Sequence, residues 1–107
     1  MIDAQFYRSG QTQKLLGFGI SGHAGYADEG FDIVCASVSS AVMLTANDIT
    51  EVFGLDAKVR DENNEILLKL GEDKDGTGDK LLLGLLTHMY LLSQQFPDSV
   101  KVKVIDR

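Results

Sequence analysis

The apolar residues of this chain change their period twice in the same order, and that constrains the fold more than any other feature. Ile2, Ala4 and Phe6 alternate with Asp3 and Gln5, and Leu16, Phe18 and Ile20 alternate with Gly17 and Gly19. A repeat of two is the mark of a half-buried strand, so the segments predict a hairpin turning at Ser9 and Gly10. From Asp32 to about Phe53 the period lengthens. Val34, Val38, Ala41, Val42, Ile49 and Val52 recur at helical spacings, and Gly54 is the stop signal. Alternation then returns in Leu55, Ala57 and Val59, and again in Ile66, Leu68 and Leu70 after a turn at Glu62 to Asn64. The acidic, glycine-bearing stretch GEDKDGTGD (71–79) predicts a mobile loop, with Thr77 or Asp79 as the cap of a second helix. Leu82, Leu85, Leu86, Met89 and Phe96 form that helix's apolar face, closed by Pro97, and Val100, Val102 and Val104 alternate with lysines in a last strand.

The resulting order is β-β-α-β-β-α-β. Two helices with one apolar stripe each, and strands with one apolar face, predict an α+β fold: a two-layer sandwich with a mostly antiparallel sheet. A chain of 107 residues, 44% hydrophobic, suits one domain over 1–107.

Several function classes are excluded on this footing. Sixteen acidic against ten basic residues give a net charge of −6, the wrong sign for a phosphate backbone, so a basic partner is expected and direct nucleic-acid binding is not. The apolar run around Leu81 to Leu92 is broken by Thr87 and His88 and is too short to span a bilayer, so no membrane association is expected. A lone cysteine and the lack of a leader-like start point to a reducing cytoplasm. GHAGYADEG lacks the spacing of dinucleotide and phosphate loops, and the single cysteine and scattered carboxylates lack paired metal-ligand spacing. No cofactor and no metal are expected.

The chemistry concentrates in SGHAGYADEGFDIVCASVSS (21–40). If the first helix starts near Phe31 or Asp32, Cys35 lies in its first turn, where unpaired backbone N–H groups and the helix dipole favour the thiolate. Cys35 is rotated off the Val34/Val38 stripe and shares its flank with Ser39. His23 stands twelve residues earlier, at the end of the second strand, and Gly22, Gly25 and Gly30 allow the connection a sharp or movable path. A thiol with an imidazole base is the minimal equipment for thiol acyl transfer. The alternative is a buried, inert cysteine in a non-catalytic binding module. His88, beside Met89 and Tyr90 in the second helix, is read as structural.

GHA at 22–24, followed by DIVCASVSS at 32–40, resembles the motif of the ribosomal-processing cysteine proteases of the Prp family, and the likeness extends along essentially the whole chain. The resemblance implies a small α+β homodimer that removes a short N-terminal extension from a large-subunit ribosomal protein precursor, cutting after a pair of aromatic residues. It assigns the nucleophile to Cys35 and the general base to His23. Asp32 is a candidate either for orienting the histidine or for capping the helix, and Ser39 either for lining the cleft or for hydrogen-bonding to a preceding carbonyl. Tyr26 and Phe31 are candidates for stacking on the aromatic residues of the substrate, the alternative for either being a place in the core. The rival is a ribosome-associated or assembly-factor module that binds the same basic partner without cutting it.

Overall fold

The computed structural model describes residues 1–22 and 29–107, with side chains at 1–22 and 33–107. Its strands are β1 (Ile2–Arg8), β2 (Leu15–Ser21), β3 (Ala57–Glu62), β4 (Glu65–Leu70) and β5 (Val100–Asp106). Its helices are α1 (Glu29–Asn47), continued by a π-helical turn over Asp48–Val52, and α2 (Thr77–Gln95). The sheet order is β3-β4-β2-β1-β5, antiparallel except where β5 runs parallel to β1. This is the two-layer α+β arrangement that the periodicity predicts.

One face of the sheet carries the core. Ile2, Ala4 and Phe6 of β1, Phe18 and Ile20 of β2, and Leu68 and Leu70 of β4 are buried in one cluster with Val34, Val38, Val42 and Ile49 of the first helical stretch. Leu82, Leu85, Met89 and Leu92 of α2 complete it. Phe6 and Phe18, directly opposite across the β1–β2 ladder, stack at a tilt with ring centroids 6.1 Å apart. The stretch Ile33–Val52 is apolar and long enough to cross a bilayer. Its buried side, 33% of the apolar stretch, belongs to the core cluster, so the core accounts for that third of its apolarity.

Details at the element ends depart from the sequence reading. The register shifts between Tyr7, paired with Gly17, and Arg8, paired with Leu15. Leu16 is left over in this bulge, so Leu15 takes the inward position and Leu16 is exposed. Val52 and Phe96, expected on apolar faces, are exposed, and Leu92 is buried in their place. The β3–β4 turn is carried by Asn63 and Asn64 with φ of 56° and 60°. Two consecutive positive values suit the right-handed twist of a two-residue hairpin, and asparagine tolerates them.

Neither Thr77 nor Asp79 caps α2. The position before the helix is Gly76, at φ 72°, and the Asp73 carboxylate reaches over it to accept the N–H groups of Gly78 and Asp79, both at 3.0 Å. Those are donors of a first helical turn, which has no backbone acceptors of its own. Asp79 instead accepts the Leu15 N–H at 2.7 Å, tying α2 to the start of β2. The 71–79 stretch is therefore a hydrogen-bonded connection, stitched to both the helix and the sheet.

Candidate active site

Cys35 sits on α1 between the buried side of the helix and solvent. Val34 and Val38 face the core at 1% exposure, Ile33 is open at 65%, and Cys35 is half-buried and packed against the edge of the core. That position combines a fixed backbone with an accessible side chain. Ser39, one turn on, is also half-buried, so the two share a flank as i and i+4 neighbours. Ser37 does not join them: it is exposed and its hydroxyl donates to the Ile33 carbonyl at 3.0 Å.

The helix begins earlier than the apolar pattern indicates, and this changes the electrostatics. With α1 starting at Glu29, Cys35 is in the second turn, and its N–H belongs to the helical ladder. The dipole effect fades beyond the first turn, so the helix start supplies less thiolate stabilisation than a start at Asp32 would give. Asp32 itself stands inside the helix rather than before it, which removes the N-cap role as the account of this residue. Phe31 is likewise placed in α1 by its backbone. The side chains of Phe31 and Asp32 lie outside the described residues, as do His23 and Tyr26 altogether.

The approach to His23 is nevertheless built by named contacts. β2 ends at Ser21, paired with Asp3 on one side and Glu65 on the other. Gly22 follows at φ 84°, and a Cβ there would run into the Met1 carbonyl oxygen. Only glycine fits a left-handed backbone against that neighbour. The sheet row at this end reads Glu62, Glu65, Ser21, Asp3 and Lys101 across the five strands. One oxygen of Asp3, Oδ1, is buried with no hydrogen-bond partner among the described residues. Carboxylates thus predominate where the chain leaves β2, a feature that alternation in the separate strands does not show because it depends on register.

Comparison with known proteins agrees with this architecture. The sequence model of the family described as cysteine protease Prp matches residues 1–101. The ribosomal processing cysteine protease Prp of Bacillus subtilis (strain 168) is 36% identical over 73 residues, which span 68% of this chain and 56% of that relative. The crystal structure of SMU.848 from Streptococcus mutans superposes at a TM-score of 0.86 with 26% identity, covering 100% of this chain and 96% of that one. The ribosomal processing protease Prp of S. aureus, crystallised with a substrate peptide, has the same fold at a TM-score of 0.85 and 15% identity, each chain covered in full. With the family match running through the GHA and DIVCA segments and over nearly the whole sheet, the chain belongs to the cysteine protease Prp family.

Proposed function

We propose that the chain is a cysteine endopeptidase that removes the short N-terminal extension of a large-subunit ribosomal protein precursor in the bacterial cytoplasm. The observation that carries this reading is Cys35: the chain's only cysteine, held half-buried on a rigid helix within the part that matches the family. The relatives support the substrate class, since the S. aureus protease is described both with a substrate peptide and with a covalently linked product peptide.

The chemistry assigned to this chain has two acyl-transfer steps. His23 takes the Cys35 proton, and the resulting Sγ thiolate attacks the scissile carbonyl. The tetrahedral intermediate collapses to a thioester, and His23 delivers the proton to the departing amine. Water, deprotonated by His23, then attacks the thioester, releasing the carboxylate and restoring the thiol. Because Cys35 lies beyond the first helical turn, the imidazolium is the main partner favouring its thiolate. Tyr26 and Phe31 meet the aromatic pair of the extension. The Glu62, Glu65 and Asp3 carboxylates at the sheet end attract the basic body of a ribosomal protein and speed encounter.

The same reading includes a homodimer. Ile33, Met43, Leu44, Val52 and Phe53 are all more than half exposed, as are Tyr90 and Leu91 on α2. So much apolar surface on the solvent side of one helical layer fits burial against a second copy.

The test is incubation of the protein with the ribosomal protein precursor, read by mass spectrometry. One product lacking the N-terminal extension, absent with Cys35→Ala, is the expected result. An uncut precursor that nevertheless binds the wild-type protein overturns the enzymatic reading in favour of a binding module.

A further inference from the structure

The face of the sheet turned away from the helices carries a charge pattern opposite to that of the chain as a whole. In register, one row across it reads Lys58, Lys69, Gly17, Tyr7 and Ile105, and the next Arg60, Leu67, Gly19, Gln5 and Lys103. Neither row contains an acid. Arg107, just past β5, adds a further cation with its guanidinium 4.5 Å above the Tyr7 ring. The carboxylates of the next row, Glu62, Glu65 and Asp3, adjoin these cations: Glu62 accepts from Arg60 at 3.1 Å, and Glu65 reaches back towards Gly19.

Between the β3–β4 lysines and arginine on one side and Tyr7 with Arg107 on the other runs a groove of about 760 Å³. Its floor is low because Gly17 and Gly19 of β2 contribute no side chains there. At Gly17 a Cβ would collide with the Leu68 carbonyl oxygen, and at Gly19 it would meet the Tyr7 hydroxyl at 3.1 Å. The Tyr7 ring therefore lies across the glycine strip, held by its hydroxyl donating to Gln5 Oε1 at 3.4 Å, and the guanidinium covers it. The outer surface of this stack is flat and cationic, with Leu16 and Leu67 beside it.

We propose that this groove binds single-stranded RNA, as a site separate from the peptidase centre. Cations on both walls of a narrow trough complement a chain charged at every repeat, and the Tyr7–Arg107 stack offers bases a planar surface. An acidic peptide would use the cations but not the planar stack. The overall charge of −6 does not oppose this, since fields act locally and the groove is lined by four cations, Lys58, Arg60, Lys69 and Arg107, against one acid, Glu65.

The experiment titrates the full-length protein into a fluorescein-labelled 12-nucleotide single-stranded RNA of mixed sequence, by anisotropy at several salt concentrations. Binding should weaken with salt at a log–log slope of about −0.7 per phosphate neutralised, so engagement of Lys58, Arg60, Lys69 and Arg107 predicts about −3. Lys58→Ala/Lys69→Ala should make the slope shallower by about 1.4 and weaken binding at low salt at least tenfold. Peptide cleavage and the thermal midpoint should not change, since both side chains are exposed and outside the catalytic machinery. Arg107→Ala, on the opposite wall of the groove, is an independent second variant with about half that slope change. Three results overturn the proposal: no RNA binding at 20 mM salt, RNA binding unaffected by these substitutions, or equal binding of a polyglutamate peptide of matched charge.

Discussion

Gly22→Ala tests whether the β2 end positions the catalytic base. Gly22 has φ 84°, and left-handed backbone costs a residue with a Cβ about 1–2 kcal/mol. The added methyl would also collide with the Met1 carbonyl oxygen. That oxygen cannot swing away freely, because the next residue, Ile2, is fully buried and its N–H is hydrogen-bonded to the Ser99 carbonyl at 2.8 Å. Relief to ordinary van der Waals contact needs a displacement of roughly 1 Å, and with the Met1–Ile2 side pinned that displacement falls on Gly22 at the end of β2. For a chain of this size each kcal/mol lowers the melting temperature by about 4 °C, so a fall of about 4–8 °C is expected from φ alone. A misplacement of about 1 Å at a reacting group can cost about 10²-fold in rate, so kcat/KM on the extension peptide should drop by about that factor at 25 °C, where the variant remains folded. Gly54→Ala is the control: Gly54 has φ 60° with nothing within 4 Å of its missing Cβ, at the opposite end of the helical stretch from Cys35. It should show a similar loss of melting temperature with unchanged kcat/KM. If Gly22→Ala melts early yet cleaves at the wild-type rate, the β2 end does not position the base.

Cys35→Ala should abolish turnover while the melting temperature stays within a few degrees, and His23→Ala should lower the single-turnover rate by about 10²–10⁴-fold; a loss below threefold assigns the base elsewhere. Alkylation of Cys35 by iodoacetamide should titrate below the roughly 8.5 of an ordinary thiol, and His23→Ala should return the midpoint upward if the imidazolium is the cause. Asp73→Ala removes the acceptor for two N–H groups of the first turn of α2, which at about 0.5–2 kcal/mol for a capping side chain predicts a lower melting temperature and unchanged cleavage. Met43→Asp/Leu44→Asp should convert a dimer to a monomer in light scattering, and a wild-type protein already monomeric at micromolar concentration refutes the interface.

The layers of this fold were legible because each element solves one problem, burying one face, and a period of two or of 3.6 records which face that is. Element ends obey other physics. Glu29 and Gly30 lengthen α1 by backbone hydrogen bonding without adding to its apolar stripe, so the pattern starts the helix late and places Cys35 in the wrong turn. Asp73 caps α2 from four residues before its first residue, through a glycine in left-handed conformation, where the local rule looks at Thr77 and Asp79. The bulge that turns Leu16 outward appears only once Tyr7 and Gly17 are in register.

The site divides along the same line. Cys35 and His23 stand out as candidates in the sequence because their chemistry is rare in this chain, which has one cysteine and two histidines. The third and fourth signals are common residues whose meaning comes from pairing: Glu62, Glu65 and Asp3 form an acidic row, and Lys58, Lys69, Arg60 and Lys103 form basic ones, only after four strand registers align them. Net charge averages the two and conceals both. A sheet whose acidic row adjoins the peptidase end and whose basic rows lie beyond it can hold a cationic protein tail and an anionic strand at the same time, the composition a ribosomal protein presents when it is already on RNA. This combination makes a sharper prediction than either row alone. Cleavage of precursor bound to a short RNA should be faster than cleavage of the isolated extension peptide, and Lys58→Ala/Lys69→Ala should abolish that advantage while leaving the peptide rate unchanged. Equal rates for the two substrates in the wild-type protein would separate the two surfaces functionally and leave the acidic row as the only one that serves the protease.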